Sequence, residues 1–233
     1  MSFKDRCEAG KKLAKALKRY ADQRPVILAL PRGGVPVAAE VAAALHAPLD
    51  LILVRKIGVP MQSELAMGAV VDGADPIIVR NEDVIRHTAI GEAEFKRICN
   101  RELAEIERRR WRYLGDRLPV EVKDRIAIVI DDGIATGATT RAALRATRMR
   151  APKTLVLAVP VASTEALADL REEADDVICL EAHDLLGAIG FYYSDFRQTS
   201  DEEVIEAIAR CSPDAKVEKP TPRFRAGKSA NRP

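Results

Sequence analysis

Short apolar runs alternate with stretches of helical periodicity along most of the chain. The apolar runs have strand length and lie at residues 26–30, 49–54, 66–71, 76–79, 126–130, 154–159 and 176–180. Apolar residues at helical spacing predict helices at residues 4–22, 37–45, 91–110, 139–150, 164–173 and 201–211. This order of elements predicts an α/β fold, a twisted parallel sheet flanked by helices and joined by right-handed crossovers.

Two carboxylates follow the most continuous apolar run. The run Ile126–Ile130 has no polar interruption, which is typical of a central parallel strand covered on both faces. Asp131 and Asp132, the acid pair, therefore lie at its carboxyl end, where open α/β sheets bind ligands. The next segment has small side chains and hydroxyl groups where a helix begins, so its N–H groups can bind a phosphate. This loop 135–139 contains Ala135, Thr136, Gly137, Ala138 and Thr139.

A second loop with phosphate-binding features follows the first strand. Arg32, Gly33 and Gly34 belong to the double-glycine turn, residues 31–34, where glycines let the backbone approach a ligand and the arginine can bind oxyanions bidentately. The alternative is a tight turn whose arginine points to water. Arg55 and Lys56 follow the run 49–54 and are expected at the same sheet edge. Convergence of all five residues would create a second anion site, and the two sites together fit a ribose phosphorylated at two positions.

Two segments leave alternatives open. Residues 58–64 have loop chemistry and predict a mobile flap, the alternative being a surface hairpin. Glu64 in this flap is either an exposed loop residue, the favoured interpretation, or a group with a metal or acid/base role. In the aromatic segment 187–196, Phe191 and Phe196 are expected in the core, whereas Tyr192 and Tyr193 either stack on a flat ligand or pack inside. Tyr192 is retained as a candidate ligand-binding residue.

Charge and cysteine usage narrow the class of protein. The chain of 233 residues carries a formal net charge of +2, but residues 212–233 hold six Lys and Arg against two Asp and Glu. That segment contributes +4, so the remaining residues carry −2, which argues against a basic nucleic-acid-binding body. The four cysteines have no metal-ligand or redox spacing, which indicates free thiols in a reducing compartment. Neither a signal core nor a membrane span is recognisable, and we expect a cytoplasmic protein.

These patterns predict three parts of unequal size. Residues 1–24 contain an amphipathic N-terminal helix that packs by one face and whose basic face is solvated. Residues 25–212 form the main domain, with a capped helix near its end. Residues 213–233 are proline-rich, polar and basic, and are predicted to be a disordered tail.

The segment VIDDGIATGATT resembles the phosphoribosyl-pyrophosphate signature of the type I phosphoribosyltransferases. LPRGG is similar to the pyrophosphate loop of that family, VRKIGVP to a cation-bearing segment of its adenine-type members, and GFYYSDF loosely to its C-terminal hood. The resemblance covers about residues 25–200 and implies the type I fold with a small hood lobe built partly from the C-terminal region. Gly133 departs from the usual apolar residue and Ala138 from a common glycine; neither removes a side chain needed for binding.

The resemblance implies transfer of the 5-phosphoribosyl group between phosphoribosyl pyrophosphate and a nitrogenous base, with pyrophosphate released or consumed. Asp131 and Asp132 would be catalytic, binding the ribose hydroxyls and stabilising positive charge at C1. Loop 135–139 would bind the 5′-phosphate, and Arg32, Gly33, Gly34, Arg55 and Lys56 the pyrophosphate. Mg²⁺ would be held mainly by substrate oxygens, and a homodimer is expected.

Two other classes of protein remain as alternatives. A regulator or sensor could bind phosphoribosyl pyrophosphate without transferring it. A dinucleotide-dependent enzyme has less support, because no GxGxxG or GxxxxGK[ST] pattern follows a strand.

Overall fold

A computed structural model describes residues 2–60, 62–73 and 76–211, with the side chains of Ser63 and Glu64 excluded. The predicted tail 213–233 and the side chain of Glu64 therefore lie outside the described residues. The α-helices are α1 (Arg6–Ala16), α2 (Gly34–Leu45), α3 (Glu82–His87), α4 (Glu92–Leu114), α5 (Ala138–Met149), α6 (Thr164–Leu170) and α7 (Asp201–Arg210). The strands are β1 (Val26–Ala29), β2 (Leu49–Leu51), β3 (Val54–Val59), β4 (Gln62–Val71), β5 (Ile77–Arg80), β6 (Ile126–Ile130), β7 (Thr154–Ser163) and β8 (Asp176–His183).

The large sheet has five parallel strands in the order β2-β1-β6-β7-β8, which confirms the predicted fold class. Strand β6 is central and buried along its whole length. Ile128 and Ile130 pack into a core with α2, whereas Ala127 and Val129 pack into a second core with α5. Because helices cover both faces, every position of β6 has to be apolar.

The N-terminal helix packs closely on α2. Gly10 lies so near Val37 that a methyl group added to it would be 2.6 Å from the Val37 carbonyl oxygen. Ala9, Gly10 and Leu13 are buried along one face of α1, as its amphipathic pattern predicts. The helix ends at Ala16, and the rest of the predicted segment forms a 3₁₀ helix at Lys18–Gln23.

A small antiparallel sheet, in the order β3-β4-β5, forms a second layer and corrects part of the strand prediction. The apolar run 49–54 is interrupted, with β2 ending at Leu51 and β3 beginning at Val54. Arg55 and Lys56 therefore lie inside a strand of the small sheet and not at the carboxyl edge of the large one. The predicted flap belongs to the β3–β4 hairpin, in which Val59 pairs with Gln62, so the hairpin alternative is confirmed.

The long helix α4 also differs from its prediction. It continues through Arg108 and Arg109 to Leu114, instead of ending at an arginine cluster. Both arginines bind Glu105 one turn earlier, so they stabilise the helix interior through i,i+3 and i,i+4 pairs. The preceding short helix α3, capped by the Asn81 side chain, was not predicted.

A buried carboxylate joins the small sheet to α4. Asp72 accepts a hydrogen bond of 2.8 Å from the Leu53 backbone N–H and forms a 2.7 Å ion pair with Arg110. Asp72 is 7% exposed, and burial raises its pKa above the ordinary range even though Arg110 opposes the shift. This arrangement fixes the chain where β2 ends.

Arg110→Ala is expected to lower the free energy of unfolding by roughly 3 kcal/mol, because it leaves the Asp72 charge buried and unpaired. The loss should shrink at low pH, where protonation of Asp72 removes the unpaired charge. Urea unfolding at neutral and acidic pH measures both effects. The control is Arg108→Ala on the same helix, where the side chain is 59% exposed and only a small loss is expected. Equal losses in the two variants would contradict this assignment.

Candidate functional site

The acid pair lies at the carboxyl end of β6, as predicted. Its two carboxylates are neighbours in space as well as in sequence, and the Asp132 backbone N–H donates a 2.9 Å hydrogen bond to Asp131 Oδ1. Burial, and then the charge of Asp132, raises the pKa of Asp131 well above its ordinary value. Two carboxylates held this closely attract a ligand that brings hydroxyl donors or positive charge.

The double-glycine turn abuts the acid pair. A methyl group added to Gly33 would lie 2.1 Å from Asp132 Oδ2, and one added to Gly34 would lie 2.7 Å from the Ile130 carbonyl oxygen. No side chain fits at either position without displacing the acid pair or the end of β6. Close approach of backbone to carboxylate is therefore the reason for two glycines here. The Pro31–Arg32 peptide bond is cis.

Loop 135–139 presents the start of α5 to solvent. Gly137 is the N-cap and has a φ of +74°, a conformation that glycine adopts without strain. Among the described residues, no side chain caps this helix start, so its first N–H groups are available to an anion. Ser163 fixes the loop from the neighbouring strand, because its hydroxyl donates a 2.7 Å hydrogen bond to the Ala135 carbonyl.

The predicted cations have different neighbours in this structure. Arg32 Nη1 lies 3.4 Å from Asp201 Oδ1, and Arg55 forms a 2.8 Å ion pair with Glu102 on α4. Lys56 lines a cavity of about 480 Å³ that also contains Ala138 and Thr139. The structure therefore groups the glycines with the acid pair and Lys56 with loop 135–139. The expected convergence of all five predicted anion-binding residues is not observed.

One charged residue at the site was missed by the sequence interpretation. Arg6, the first residue of α1, forms a 2.7 Å ion pair between its Nε and Asp132 Oδ2. A signal for it existed, because Arg6 shares helical spacing with the buried Ala9, Gly10 and Leu13 and so lies on the packed face of α1. The basic face of this helix was expected to be solvated, and Arg6 does not follow that expectation.

The aromatic segment closes over the acid pair from the C-terminal side. The Tyr193 hydroxyl donates a 2.6 Å hydrogen bond to the Asp132 carbonyl, and burial raises the pKa of this phenol. Tyr193 packs with Phe3 and Phe196, so it belongs to a core cluster. Phe191 is 73% exposed, and its predicted core position is wrong. The segment turns at Gly187 and leaves Phe191 on the outside.

Tyr192 stands on the rim of the same segment. Its ring lies 4.4 Å from the His183 ring, centroid to centroid, and the side chain is partly buried. Its role toward a ligand stays a prediction. Gly133, the departure noted in the sequence, is packed under Ile189, because a methyl group there would lie 2.5 Å from Ile189 Cγ2. A larger residue at position 133 would displace that side chain.

Over residues 2–60, 62–73 and 76–211, no group of three or more His, Cys, Asp and Glu side chains is arranged to hold a metal ion. Within the same ranges, no helix is long and apolar enough to cross a membrane.

This α/β protein has a carboxylate pair at the end of its central strand, with an uncapped helix start after the pair and a glycine turn beside it. Residues 4–195 match the family described as "Phosphoribosyl transferase domain", and the chain belongs to that family.

Similar proteins are known from several organisms. The chain is 44% identical over 212 residues to "Putative phosphoribosyl transferase MT0597" and to "Putative phosphoribosyl transferase Rv0571c" of two Mycobacterium tuberculosis strains. The match covers 91% of this chain and 47% of each of those proteins, so the chain spans about half the length of these relatives. The crystal structure of TT1426 from Thermus thermophilus is 39% identical with a TM-score of 0.80, and the match covers 91% of this chain and all of that one.

Proposed function

We propose that this protein transfers the 5-phosphoribosyl group between phosphoribosyl pyrophosphate and a nitrogenous base, with release or consumption of pyrophosphate. The observation that carries the proposal is the position of the acid pair, which touches the double-glycine turn and leads within a few residues into loop 135–139. Membership of the phosphoribosyl transferase domain family supports the same reaction class.

Each part of this site fits one part of the donor. The acid pair accepts hydrogen bonds well and would repel a phosphate, so it suits the ribose hydroxyls. The uncapped start of α5 suits the 5′-phosphate. The backbone of the double-glycine turn lies beside the acid pair, where the pyrophosphate at C1 would approach. Lys56 lines the cavity next to loop 135–139, so its positive charge would attract a phosphate group to that cavity.

The acid pair also fits the chemistry of transfer. Bond breaking at C1 of the ribose develops positive charge on the ring, and carboxylates fixed nearby stabilise that charge without reorganising. Asp131 and Asp132 are held rigidly by the end of β6, by the Tyr193 hydroxyl and by Arg6. They are therefore the catalytic groups in this proposal.

Mg²⁺ fits this site as a substrate-bound ion. Mg²⁺ prefers oxygen ligands and commonly keeps waters and substrate phosphates in its shell, so a full set of protein ligands is not required. When bound, the ion would neutralise charge on the pyrophosphate. The residues that would hold the substrate carrying it are the acid pair and the double-glycine turn.

Two further expectations belong to the proposal. A homodimer is expected from the family resemblance. A reducing, cytoplasmic environment is expected because the four cysteines are free thiols.

The second candidate is a regulator or sensor that binds phosphoribosyl pyrophosphate without turnover. The observation that favours it is the present position of the cations, because Arg32 and Arg55 are both paired with carboxylates away from the acid pair. In a transferase, the positive charge on the leaving pyrophosphate's side would have to come from Lys56 and the substrate-bound Mg²⁺ alone.

Pyrophosphate release separates the candidates. The wild-type protein, phosphoribosyl pyrophosphate and Mg²⁺ are incubated with a panel of purines, pyrimidines and other nitrogen acceptors, and we expect release with at least one acceptor. Phosphoribosyl pyrophosphate, but not NAD or ATP, should also raise the midpoint of thermal unfolding, because a ligand of the native state stabilises it. Protection without release across the panel would favour the sensor, and absence of both would refute the proposed donor.

A further inference from the structure

The Arg6 guanidinium is partly buried where the N-terminal helix meets the acid pair. Its side chain is 12% exposed and that of its partner Asp132 is 14% exposed. Nε donates to Asp132 Oδ2 at 2.7 Å, Nη1 donates to the Arg197 carbonyl at 2.8 Å, and the guanidinium carbon lies 3.9 Å from the centre of the Phe196 ring. A partly buried charge held by three groups has little freedom to leave Asp132.

Arg6 binds the oxygen of the Asp132 carboxylate that also lies next to the double-glycine turn. Oδ2 of Asp132 is the atom that a methyl group on Gly33 would meet at 2.1 Å, so this oxygen lies between the double-glycine turn and Arg6. The other oxygen, Oδ1, would lie 2.9 Å from the same methyl group, and the Asp131 carboxyl is within hydrogen-bond reach of this carboxylate. Because Oδ2 is fixed, the orientation of the whole Asp132 carboxylate is fixed.

We propose that Arg6 is a positioning residue of the donor site, which holds the Asp132 carboxylate in the orientation that meets the ribose hydroxyls of phosphoribosyl pyrophosphate. This inference rests on the proposed function. It also assigns a role to the N-terminal helix, which supplies the counter-charge that two adjacent carboxylates need when no ligand is present. A purely structural tie between α1 and the sheet is the competing explanation.

The charges around the acid pair predict how pH should separate the two explanations. Asp131 and Asp132 face each other, with Arg6 on one side and the Tyr193 phenol on the other, and Glu181 acts on the phenol. Arg6 lowers the pKa of Asp131, whereas Asp132 raises it. Removing Arg6 therefore raises the pKa of Asp131, so binding that needs an ionised Asp131 should be lost at a higher pH.

The test compares Arg6→Ala and Arg6→Lys with Lys15→Ala, an exposed control on the same helix. Calorimetry measures the Kd for phosphoribosyl pyrophosphate with Mg²⁺ between pH 5 and 8. For Arg6→Ala we expect binding at least about tenfold weaker than in wild type at neutral pH. The loss of binding on acidification should also begin at a higher pH than in wild type. Arg6→Lys should restore part of the affinity and of the pH profile, and Lys15→Ala should match wild type.

The outcomes keep this inference distinct from the proposed function. If wild type binds the donor and Arg6→Ala matches it in Kd and pH profile, the positioning role is wrong while the function stands. Weaker donor binding by Arg6→Ala would also overturn the positioning role if the loss of binding at low pH were not shifted and Arg6→Lys restored no affinity. That result would favour a purely structural contact between α1 and the sheet. If Arg6→Ala does not fold, Arg6→Lys and Arg6→Gln carry the same comparison. Wild-type protein that binds but releases no pyrophosphate refutes only the transferase.

Discussion

Asp132→Asn is expected to lower kcat/KM for the donor by about 100-fold or more, the usual effect of losing one electrostatic group at a reacting centre. The amide keeps the shape of the carboxylate but not the charge that would stabilise the ribose cation. Folding should survive, because two effects oppose each other. The variant removes the repulsion between Asp131 and position 132, while it also removes the carboxylate partner of Arg6.

Asp131→Asn should reduce turnover similarly and change the pH dependence of stability in a definite direction. The folded-state pKa of Asp131 is raised, so its ionisation destabilises the native state as the pH rises from the unfolded-state pKa through the folded-state pKa. Asparagine cannot ionise, so the variant should lose less stability than wild type over that interval. Thermal unfolding at a series of pH values measures the difference.

Pyrophosphate-release kinetics with the best acceptor of the panel, together with circular dichroism, test both variants. Native spectra with turnover reduced to background would support the assignment of the acid pair. Wild-type turnover in both variants would remove Asp131 and Asp132 from the catalytic site. A loss of turnover that only tracks unfolding would say nothing in favour of catalysis and would contradict the expected folding.

Gly33→Ala is the second variant with a large expected effect. Its methyl group would lie 2.1 Å from Asp132 Oδ2 and 2.6 Å from Asp132 Cγ, distances that force the carboxylate away from its position. Because the displaced group is a side chain, the backbone can stay in place and the fold should be retained. Donor binding should weaken strongly, since the new methyl group also separates the turn from the acid pair.

Two other glycines provide matched controls for this prediction. Gly91→Ala should leave Kd unchanged, because nothing lies within 4 Å of the added methyl group, and should cost only the small stability loss expected of alanine at the N-cap of α4. Gly34→Ala should instead lower stability, because its methyl group would meet the backbone of Ile130 and Asp131 at 2.7 and 2.9 Å. Calorimetry and thermal unfolding of the three variants separate binding from folding. Donor binding by Gly33→Ala equal to that of Gly91→Ala would contradict the proposed geometry.

The large sheet could be predicted from the sequence because local pattern and burial agree there. Every residue of strand β6 is apolar because helices cover both of its faces. The acid pair comes directly after the last residue of this strand. The capping box formed by Ser200 and Glu203 likewise marks the start of α7 in the local sequence. The double-glycine turn was a weaker signal, and its purpose became visible only from its distance to Asp132.

The parts that could not be predicted depend on contacts between distant residues. The apolar run 49–54 has no internal sign of a break; the break is fixed by Asp72, which accepts a hydrogen bond from the Leu53 N–H. Arg55 is placed by Glu102 on α4, and Arg6 by an acid that lies 126 positions away. Local periodicity carries no information on such ion pairs, so the positions of these cations had to come from the structure.

The most direct test of the account is a structure of the wild-type protein with phosphoribosyl pyrophosphate and Mg²⁺. The account predicts the ribose hydroxyls within hydrogen-bond distance of Asp131 and Asp132, the 5′-phosphate on loop 135–139, and the pyrophosphate beside the double-glycine turn. A donor bound elsewhere, or one with a phosphate on loop 135–139 but its ribose away from the acid pair, would contradict it.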